Sequence, residues 1–270
     1  MSRLMVILHN KKQTVTAYSI FKELHLQTKL LLLGNVWNVQ SANLFEKLGF
    51  RAIGTSSAAI AHSLGYEDGQ QLSFSELLYM VDRIMKNTNL PLTVDLEHGY
   101  GITAAEITAN IRQLHNMGIA GINIEDSRFE NGKRKLVDSK QFAALLKTIS
   151  STLNGSDTYV FINARCDAFL LGLPDAASQA KQRIELYEQN GADGIFLPGI
   201  CDADDIRSAV AQTSLPINVM CVPSLPDFET LAAIGVKRIS MGNFMNENLL
   251  RTMEDVVSAI VVQQSFQSLF

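Results

Sequence analysis

Cysteine is scarce in this chain of 270 residues, and its three cysteines lie far apart. Cys166, Cys201 and Cys221 are odd in number and form no C-x-x-C pair, so we predict neither a disulfide framework nor a thiolate zinc site. Long apolar runs are also missing, since stretches such as residues 30–33 are far shorter than the roughly 20 residues that span a bilayer. The N-terminal residues show no cleavage pattern of a signal peptide. We therefore expect a cytoplasmic protein without a membrane partner.

Positive charge is not in excess either. The chain has 23 Lys and Arg against 27 Asp and Glu, a net charge of −4, and an isoelectric point near 5.7. No basic patch interleaved with aromatic residues occurs, so we expect no nucleic-acid partner. What the sequence does contain is 47% hydrophobic residues, enough to bury a large core. At this length such a content suits one α/β domain or two small domains.

Short β-rich runs alternate with longer helical patterns along the chain. An N-terminal helix is predicted at residues 14–27, and an irregular polar stretch at 127–137. The predicted strands are residues 30–33, 52–54, 92–95, 121–124, 159–164, 194–197, 217–220 and 238–241. The predicted helices are residues 40–48, 73–86, 104–117, 138–153, 175–189, 202–212, 227–234 and 246–262. Eight strands separated by helices indicate the α/β class and, at this length, a (β/α)8 TIM barrel.

One repeated junction supports this count of strands. At Gly49, Gly118, Gly191 and Gly235 a helix is predicted to end with glycine in the left-handed cap position, and a strand follows. The successive spacings of 69, 73 and 44 residues fit two, two and one βα units. We predict a single domain over residues 1–270, with the barrel at about 30–245 and a C-terminal helical segment at about 246–270. A doubly wound open sheet is the alternative, although no G-x-G-x-x-G follows the first strand.

Polar residues gather where the predicted strands end, and these ends form the active-site face of a barrel. Asp95 and Glu97 are two residues apart, so their side chains point the same way and need a cation or a proton between them. Single polar residues at such places could merely fix loops. Acids, an arginine and amides gathered at one mouth instead favour an active site. The strand-end residues are Asn35, Trp37, Asn38, Ser56, Ser57, Asp95, Glu97, Glu125, Asp126, Asn163, Arg165, Asp167, Asn218 and Asn243.

The residue types at these ends predict the chemistry. Asp95, Glu97 and Glu125 supply hard oxygen ligands, which favour Mg2+ or Mn2+ over Zn2+. Arg165 can fork onto a substrate carboxylate, whereas Cys166 points the other way and is not expected to be a nucleophile. Such a site suits a 2-oxo carboxylate, whose developing enolate charge would be stabilised by the metal as a Lewis acid.

From about residue 31 to residue 260 the sequence resembles the isocitrate lyase and phosphoenolpyruvate mutase superfamily. The most specific match is D-L-E-H-G-Y-G at 95–101, which is similar to the superfamily pattern D-x-[DE]-x-G-Y-G. Matches also occur at 65–68 (G-Y-E-D), 124–126 (I-E-D) and 163–169 (N-A-R-C-D-A-F). The resemblance implies a (β/α)8 barrel, usually a tetramer built as a dimer of dimers. Its last helices would be exchanged between neighbouring subunits.

The resemblance also implies a ligand set for Mg2+. The metal would be held directly by Asp95 and, through water, by Asp68, Glu97 and Glu125. Asp68 and Glu125 are therefore expected to be catalytic as well as metal-binding. Asp126 could orient Glu125 or Arg165 without binding the metal.

Substrate contacts are implied at two further places. Ser56, Ser57 and Ala58 match the loop whose backbone and hydroxyl groups hold the 2-oxo acid, and Arg165 matches the catalytic partner of its carboxylate. Asn218, at the end of the seventh strand, is a further expected substrate-binding residue.

The lid after the fourth strand departs from the best-known members. Residues 127–135, S-R-F-E-N-G-K-R-K, lack the K-[KR]-C-G-H element with its catalytic cysteine, which argues against cleavage of isocitrate or methylisocitrate. Phosphoenolpyruvate mutases have a longer lid, and a histidine where this chain has Pro198. The remaining resemblance is to carboxyphosphonoenolpyruvate phosphonomutase-like proteins, some of which decarboxylate oxaloacetate or cleave substituted malates.

Several other residues allow two interpretations. His98 could be an acid or base or could pack in its loop, and His62, on a probable helix with Ala58, Ala59 and Ala61, is more typical of a structural histidine. Residues 133–135 could be solvated, or could close over an anionic substrate. The apolar residues 257–270 suggest burial against a partner subunit, with a mobile tail as the alternative.

Our main hypothesis is a Mg2+-dependent lyase or decarboxylase acting on a 2-oxo or 2-hydroxy dicarboxylate through a pyruvate-type enolate. The alternative within the superfamily is phosphonomutase or other P–C bond chemistry. A metal-dependent aldolase and a catalytically silent barrel are further alternatives. Four acids around one cavity argue against a silent barrel.

Overall fold

Eight parallel strands close into a barrel in the computed structural model, which describes residues 16–69, 72–130 and 132–270. The first strand pairs with the last, Leu31 opposite Arg238, so the sheet has no open edge. The predicted (β/α)8 fold is confirmed, and the doubly wound open sheet is wrong. The barrel strands are β1 (Leu31–Val36), β2 (Ile53–Thr55), β3 (Leu92–Asp95), β4 (Gly121–Glu125), β7 (Phe161–Arg165), β8 (Gly194–Leu197), β9 (Ile217–Met220) and β10 (Arg238–Ser240).

The helices surround this barrel. Apart from α3, for which no bounds were predicted, their boundaries differ from the predicted ones by three residues or fewer. Residues 14 and 15 of the predicted N-terminal helix lie outside the described residues. The glycines of the repeated junction adopt positive φ, between 81° and 107°, as predicted. The helices are α1 (Ala17–Leu26), α2 (Val39–Lys47), α3 (Ser57–Ser63), α4 (Phe74–Met85), α5 (Ala104–Asn116), α6 (Ser139–Asn154), α7 (Ala176–Gln189), α8 (Ala203–Ala211), α9 (Phe228–Ile234) and α10 (Phe244–Gln263).

The stretch predicted as irregular is instead an antiparallel hairpin of β5 (Ser127–Glu130) and β6 (Lys133–Leu136). Strand prediction depends on apolar residues at alternate positions. In β6 the partly buried positions hold Arg134 and Leu136, while Lys133 and Lys135 are exposed. Burial does alternate along β6, but the inward position 134 holds a charged arginine, so the sequence shows no alternation of apolar and polar residues. We call this hairpin the lid.

Helix α1 covers the N-terminal end of the barrel. Phe21 and Leu24 pack with Leu31 and Phe161, residues at the starts of their strands. His25 stacks on Phe161 with ring centroids 4.4 Å apart. This end of the barrel is therefore filled by apolar side chains, and a substrate can reach the interior only from the opposite end.

Helix α10 leaves most of its apolar side chains in solvent. Leu249 and Met253 are more than half exposed, and Asn246 is the one buried residue that this helix has. The predicted exchange of the last helices between subunits, and the predicted tetramer, concern contacts outside one chain and stay predictions. No helix in the described part of the chain combines the length and the apolar character that crossing a membrane requires.

Candidate active site

A cavity of about 190 Å3 opens at the C-terminal ends of the barrel strands. Six of the predicted site residues line it, whereas Glu97, Glu125 and Asn218 lie beside or beneath it. A cavity of about 220 Å3 near the N-terminal end of β1 is lined by leucines and carries no carboxylate. The acid-lined cavity is therefore the candidate active site. Its predicted lining residues are Ser56, Ser57, Ala58, Asp68, Asp95 and Arg165.

Asp95 ends β3 with one carboxylate oxygen held and the other free. Ser57 Oγ donates to Asp95 Oδ2 at 2.7 Å, and the Asp95 backbone N–H donates to Thr55 Oγ1 at 2.8 Å. Arg165 Nη1 lies 3.9 Å from the same Oδ2. Oδ1 is buried and has no hydrogen-bond partner among the described residues. The Ser57 hydroxyl thus orients the carboxylate, and Oδ1 is left for a ligand.

Glu97 follows in a strained turn, because its φ of +49° lies in the left-handed region that favours glycine. Tyr100 Oη donates to Glu97 Oε1 at 2.7 Å, while Oε2 has no partner among the described residues. At Gly99, with φ +104°, an added Cβ would come within 2.7 Å of Ile107. The 95–101 motif therefore encodes a turn that packs Gly99 against the first turn of α5 and buries Glu97 beside Tyr100.

Burial raises the pKa of Glu97 to about 7, and the neighbouring charges of Asp95 and Asp68 act in the same direction. The hydrogen bond from Tyr100 opposes this shift. In the metal-free protein a proton or a cation must therefore accompany these carboxylates near neutral pH.

We expect this burial to make the stability of the metal-free protein depend on pH. Between the ordinary pKa of 4.5 and about 7, the folded protein keeps a proton on Glu97 that the unfolded chain has lost. The free energy of unfolding should therefore fall as pH rises through this range, by about 3 kcal/mol relative to Glu97→Gln. Urea titrations in chelator at several pH values measure the difference. Identical pH slopes for the two proteins would contradict the assigned burial, and saturating Mg2+ should flatten the wild-type slope.

Arg165 is surrounded by carboxylates at the end of β7. Its Nε donates to Asp167 Oδ1 at 2.6 Å, and its Nη1 lies 3.2 Å from Glu125 Oε2. Its Nη2 makes no hydrogen bond to a described residue. Burial raises the pKa of Glu125, and the guanidinium of Arg165 opposes that shift. Two nitrogens of the guanidinium, Nε and Nη1, therefore balance the charge of the neighbouring carboxylates, and Nη2 is left to bind a substrate.

The sequence analysis missed Arg134, which reaches from the lid into the acid cluster. Its Nη1 hydrogen-bonds Glu125 Oε1, lies 3.0 Å from Ser127 Oγ, and lies 3.4 Å from Asp167 Oδ2. Its Nη2 lies 3.6 Å from Asp68 Oδ2. The basic stretch at 133–135 thus divides, with its lysines solvated and its arginine turned inward.

Asp126 faces away from the cavity, toward α7. Its Oδ2 accepts hydrogen bonds from Arg183 Nη1 at 2.9 Å and Tyr187 Oη at 2.6 Å. Its Oδ1 accepts from the backbone N–H of Asp167 at 2.9 Å, and Arg183 Nη2 donates to the Val137 carbonyl at 3.0 Å. Among the described residues, the Asp126 carboxylate hydrogen-bonds the side chain of neither Glu125 nor Arg165; it holds the end of the lid and the loop that carries Asp167, whose Oδ1 accepts from Arg165 Nε. A role of Asp126 in orienting Arg165, acting through Asp167, stays a prediction. The sequence does contain a signal for this network: Arg183 lies on the apolar, buried face of α7, where a charged residue needs a partner.

Amide side chains fill the barrel beneath the carboxylates. Asn163 Nδ2 donates to Asn123 Oδ1 at 2.8 Å, and Asn218 Nδ2 donates to Asn163 Oδ1. Arg238 Nη2 donates to the same Asn123 oxygen at 3.0 Å. Asn218 is fully buried in this chain and does not line the cavity, so its role in substrate binding stays a prediction.

The two histidines considered from the sequence lie outside the cavity. His98 is partly buried beside the ring of Tyr100, and burial lowers its pKa. His62 is exposed on α3, so it is not the packed structural histidine that the sequence suggested. Cys166 is fully buried and away from the cavity lining, as predicted.

The residues fit a hard divalent cation. Three buried oxygens without hydrogen-bond partners among the described residues belong to the three predicted carboxylates, Asp95 Oδ1, Glu97 Oε2 and Glu125 Oε2. No three Asp, Glu, His or Cys side chains in the described part of the chain could hold a metal ion by themselves. The predicted arrangement, with Asp95 as the one direct ligand and water between the metal and the other acids, stays a prediction; Mg2+ usually keeps several waters.

Known proteins are similar to this chain in sequence and in fold. An uncharacterized protein of Mycobacterium tuberculosis is 33% identical over 223 residues, 83% of this chain and 81% of that protein. An oxaloacetate decarboxylase of a Bradyrhizobium species is 31% identical over 219 residues, 78% of this chain and 73% of that enzyme. A phosphonopyruvate hydrolase solved with oxalate and Mg2+ shares the fold, with a TM-score of 0.82 at 23% identity over 94% of this chain and 89% of that chain.

The family assignment comes from the whole barrel. The model of the phosphoenolpyruvate phosphomutase family matches residues 21–261, which include every strand of the barrel and most of α10. This match confirms the resemblance seen in the 95–101, 124–126 and 163–169 motifs. The chain belongs to the phosphoenolpyruvate phosphomutase family, within the superfamily that also contains isocitrate lyase.

Proposed function

We propose that the protein is a Mg2+-dependent lyase that cleaves a C–C bond of a 2-oxo or 2-hydroxy dicarboxylate, with decarboxylation of oxaloacetate as the first candidate reaction. One observation carries the proposal: the Ser57 hydroxyl fixes Asp95 Oδ2, which lies 3.9 Å from Arg165 Nη1, and leaves Asp95 Oδ1 free. The 31% identity to an oxaloacetate decarboxylase supports the same reaction class.

Asp95 would hold the metal, and Asp68, Glu97 and Glu125 would bind its water ligands. When bound, Mg2+ supplies a Lewis acid that polarises the substrate carbonyl. Arg165 Nη2 is free to bind the substrate carboxylate, because Nε and Nη1 stay on Asp167 and Glu125.

The chain's own residues argue against a covalent mechanism. The Ser57 hydroxyl already donates to Asp95, and the Ser56 hydroxyl accepts from the Ala59 backbone N–H at 3.3 Å as the cap of α3. Cys166 is buried in the core, and burial raises the pKa of its thiol well above the ordinary value. With oxaloacetate the bonding electrons of the cleaved C–C bond would move into the 2-oxo carbonyl, which gives CO2 and the enolate of pyruvate. With a 2-hydroxy dicarboxylate the hydroxyl would lose its proton and become the carbonyl of the 2-oxo product, and the bonding electrons would move into the carboxylate of the other fragment.

Chemistry on a P–C bond is the second candidate. The matched family is described as phosphoenolpyruvate phosphomutase, and Arg134, Arg165 and Arg238 place three guanidiniums in or beside the cavity. A phosphonate carries more negative charge than a carboxylate and would use such donors well.

Pyruvate release from oxaloacetate, substituted malates and phosphonopyruvate, each with Mg2+ and with chelator, tests the proposal. We expect turnover of at least one dicarboxylate that stops in chelator, after subtraction of the metal-promoted rate without protein. Turnover that resists chelator would contradict the metal mechanism. Consumption of phosphonopyruvate alone, either with water to pyruvate and phosphate or by isomerisation to phosphoenolpyruvate, would establish the second candidate.

A further inference from the structure

A fully buried arginine lies beneath the carboxylates of the candidate site. Arg238 begins β10, and its side chain enters the barrel interior and lines the same cavity as Asp95 and Arg165. Its Nη2 donates to Asn123 Oδ1 at 3.0 Å, and its Cζ lies 5.8 Å from the ring centroid of Phe196. Both neighbours are uncharged, so neither balances the guanidinium.

Two nitrogens of this guanidinium have no partner. No described residue accepts a hydrogen bond from Nε or Nη1 of Arg238. Arg238 also forms no ion pair with any described residue. By contrast, Arg134, Arg165 and Arg183 each contact a carboxylate. Burial lowers the pKa of Arg238 to about 9, so the side chain is still a cation at neutral pH. A buried cation without a partner costs several kcal/mol.

A purely structural role does not account for that cost. An apolar side chain of similar volume would fill the space without a desolvation penalty. His25, at the closed end of the barrel, does not balance this charge, because burial and the charge of Arg238 lower the pKa of His25 to about 3 and leave it neutral. Asp95 influences Arg238 only at longer range, and no ion pair joins them. The free N–H groups therefore point to an anion that enters the cavity.

We propose that Arg238 binds the second oxyanionic group of the substrate, a carboxylate or a phosphonate, and so makes the site select dianionic 2-oxo or 2-hydroxy acids. The inference rests on the proposed function in one respect: the other end of the substrate is taken to be a 2-oxo or 2-hydroxy acid bound near Asp95. Arg165 and Arg238 line the same cavity of about 190 Å3, and their Cζ atoms lie 5.9 and 5.8 Å from the ring centroid of Phe196. The guanidinium fork matches either oxyanion through paired hydrogen bonds.

Equilibrium binding to the full chain with Mg2+ tests the proposal without turnover. The probes are malate, 3-phosphonolactate and 2-hydroxybutyrate, which share a 2-hydroxy acid and differ in the group at the far end. We expect at least one dianion to bind about tenfold or more tightly than 2-hydroxybutyrate. Malate and 3-phosphonolactate together distinguish a carboxylate from a phosphonate.

Arg238→Met should abolish this preference and leave 2-hydroxybutyrate binding within about threefold of wild type. Its unfolding midpoint without ligand should equal or exceed that of wild type, whereas loss of a structural arginine would lower it. Arg238→Lys, which keeps the charge but loses the fork, should retain part of the preference and covers the case in which the methionine variant does not fold.

Two results would overturn the inference: equal weakening of all three ligands in Arg238→Met, or an unchanged preference for dianions in either variant. The binding test and the turnover test can fail independently, so their results distinguish the anion site from the proposed reaction. If the wild type releases no pyruvate but shows an Arg238-dependent preference for dianions, the proposed reaction is wrong and the anion site stands. If turnover occurs while the variants keep the preference, the anion site is wrong and the reaction stands.

Discussion

Replacing Asp95 with alanine should lower Mg2+-dependent pyruvate release by about 10³-fold or more, since a Lewis-acid contact supplies several kcal/mol to the transition state. The size of the effect follows from the arrangement of the acids. Asp95 is the one carboxylate with an oriented, free oxygen that lines the cavity, because Glu97 and Glu125 lie beside it and Asp68 is partly exposed. The other acids therefore cannot take over direct coordination.

Two further variants make this result specific. Asp95→Asn keeps the shape and an oxygen for the Ser57 hydroxyl, so it should fold like wild type and still lose turnover and Mg2+-dependent thermal stabilisation. Asp82→Ala removes a half-buried acid of α4 whose ion-pair partner among the described residues is Lys86, and it should change neither property. A fully active Asp95→Ala protein would show that the metal, or the reaction, has been assigned to the wrong place.

Replacing Asp126 with alanine should lower the free energy of unfolding by about 3–5 kcal/mol, because it leaves the buried guanidinium of Arg183 without its counter-charge. Asp126 is fully buried and accepts hydrogen bonds from Arg183, Tyr187 and the Asp167 backbone. Urea unfolding monitored by two probes measures the loss and checks that the transition is two-state.

A double-mutant cycle separates the unpaired charge from the lost packing. Combining Asp126→Ala with Arg183→Met should recover a large part of the stability, since the double variant has no buried cation left unpaired. Tyr187→Phe removes one hydrogen bond and should cost only about 1 kcal/mol. A loss below about 1 kcal/mol in Asp126→Ala, or no recovery in the double variant, would contradict this account of the network.

The strands and their polar ends were predictable because each depends on local sequence. A buried parallel strand is an apolar run, and a glycine after a helix marks the turn into the next strand. Asp95, Glu125 and Arg165 stand directly at the ends of such runs, so the closure of the barrel brings them together. The acid cluster is thus a consequence of topology that the linear pattern already contains.

The arginines were not predictable in the same way. Arg134 and Arg183 look like ordinary charges of a loop and of a helix, and only their tertiary partners, Glu125 and Asp126, distinguish them from solvated side chains. Arg238 follows Lys237 at the start of a strand, where a pair of basic residues is typical of a turn. Which way each side chain points depends on the register of strands distant in sequence.

The seam of the barrel couples the formation of the site to the last step of chain assembly. Leu31 pairs with Arg238, and Asn35 Oδ1 accepts hydrogen bonds from the backbone N–H groups of Met241 at 2.7 Å and Gly242 at 3.1 Å. Contacts between such distant positions form slowly during folding. Until β10 joins β1, two strand edges stay open to wrong partners. While residues 238–242 are still inside the ribosome, the sheet therefore cannot close. The cavity at the strand ends then also lacks the part of its lining that β10 provides.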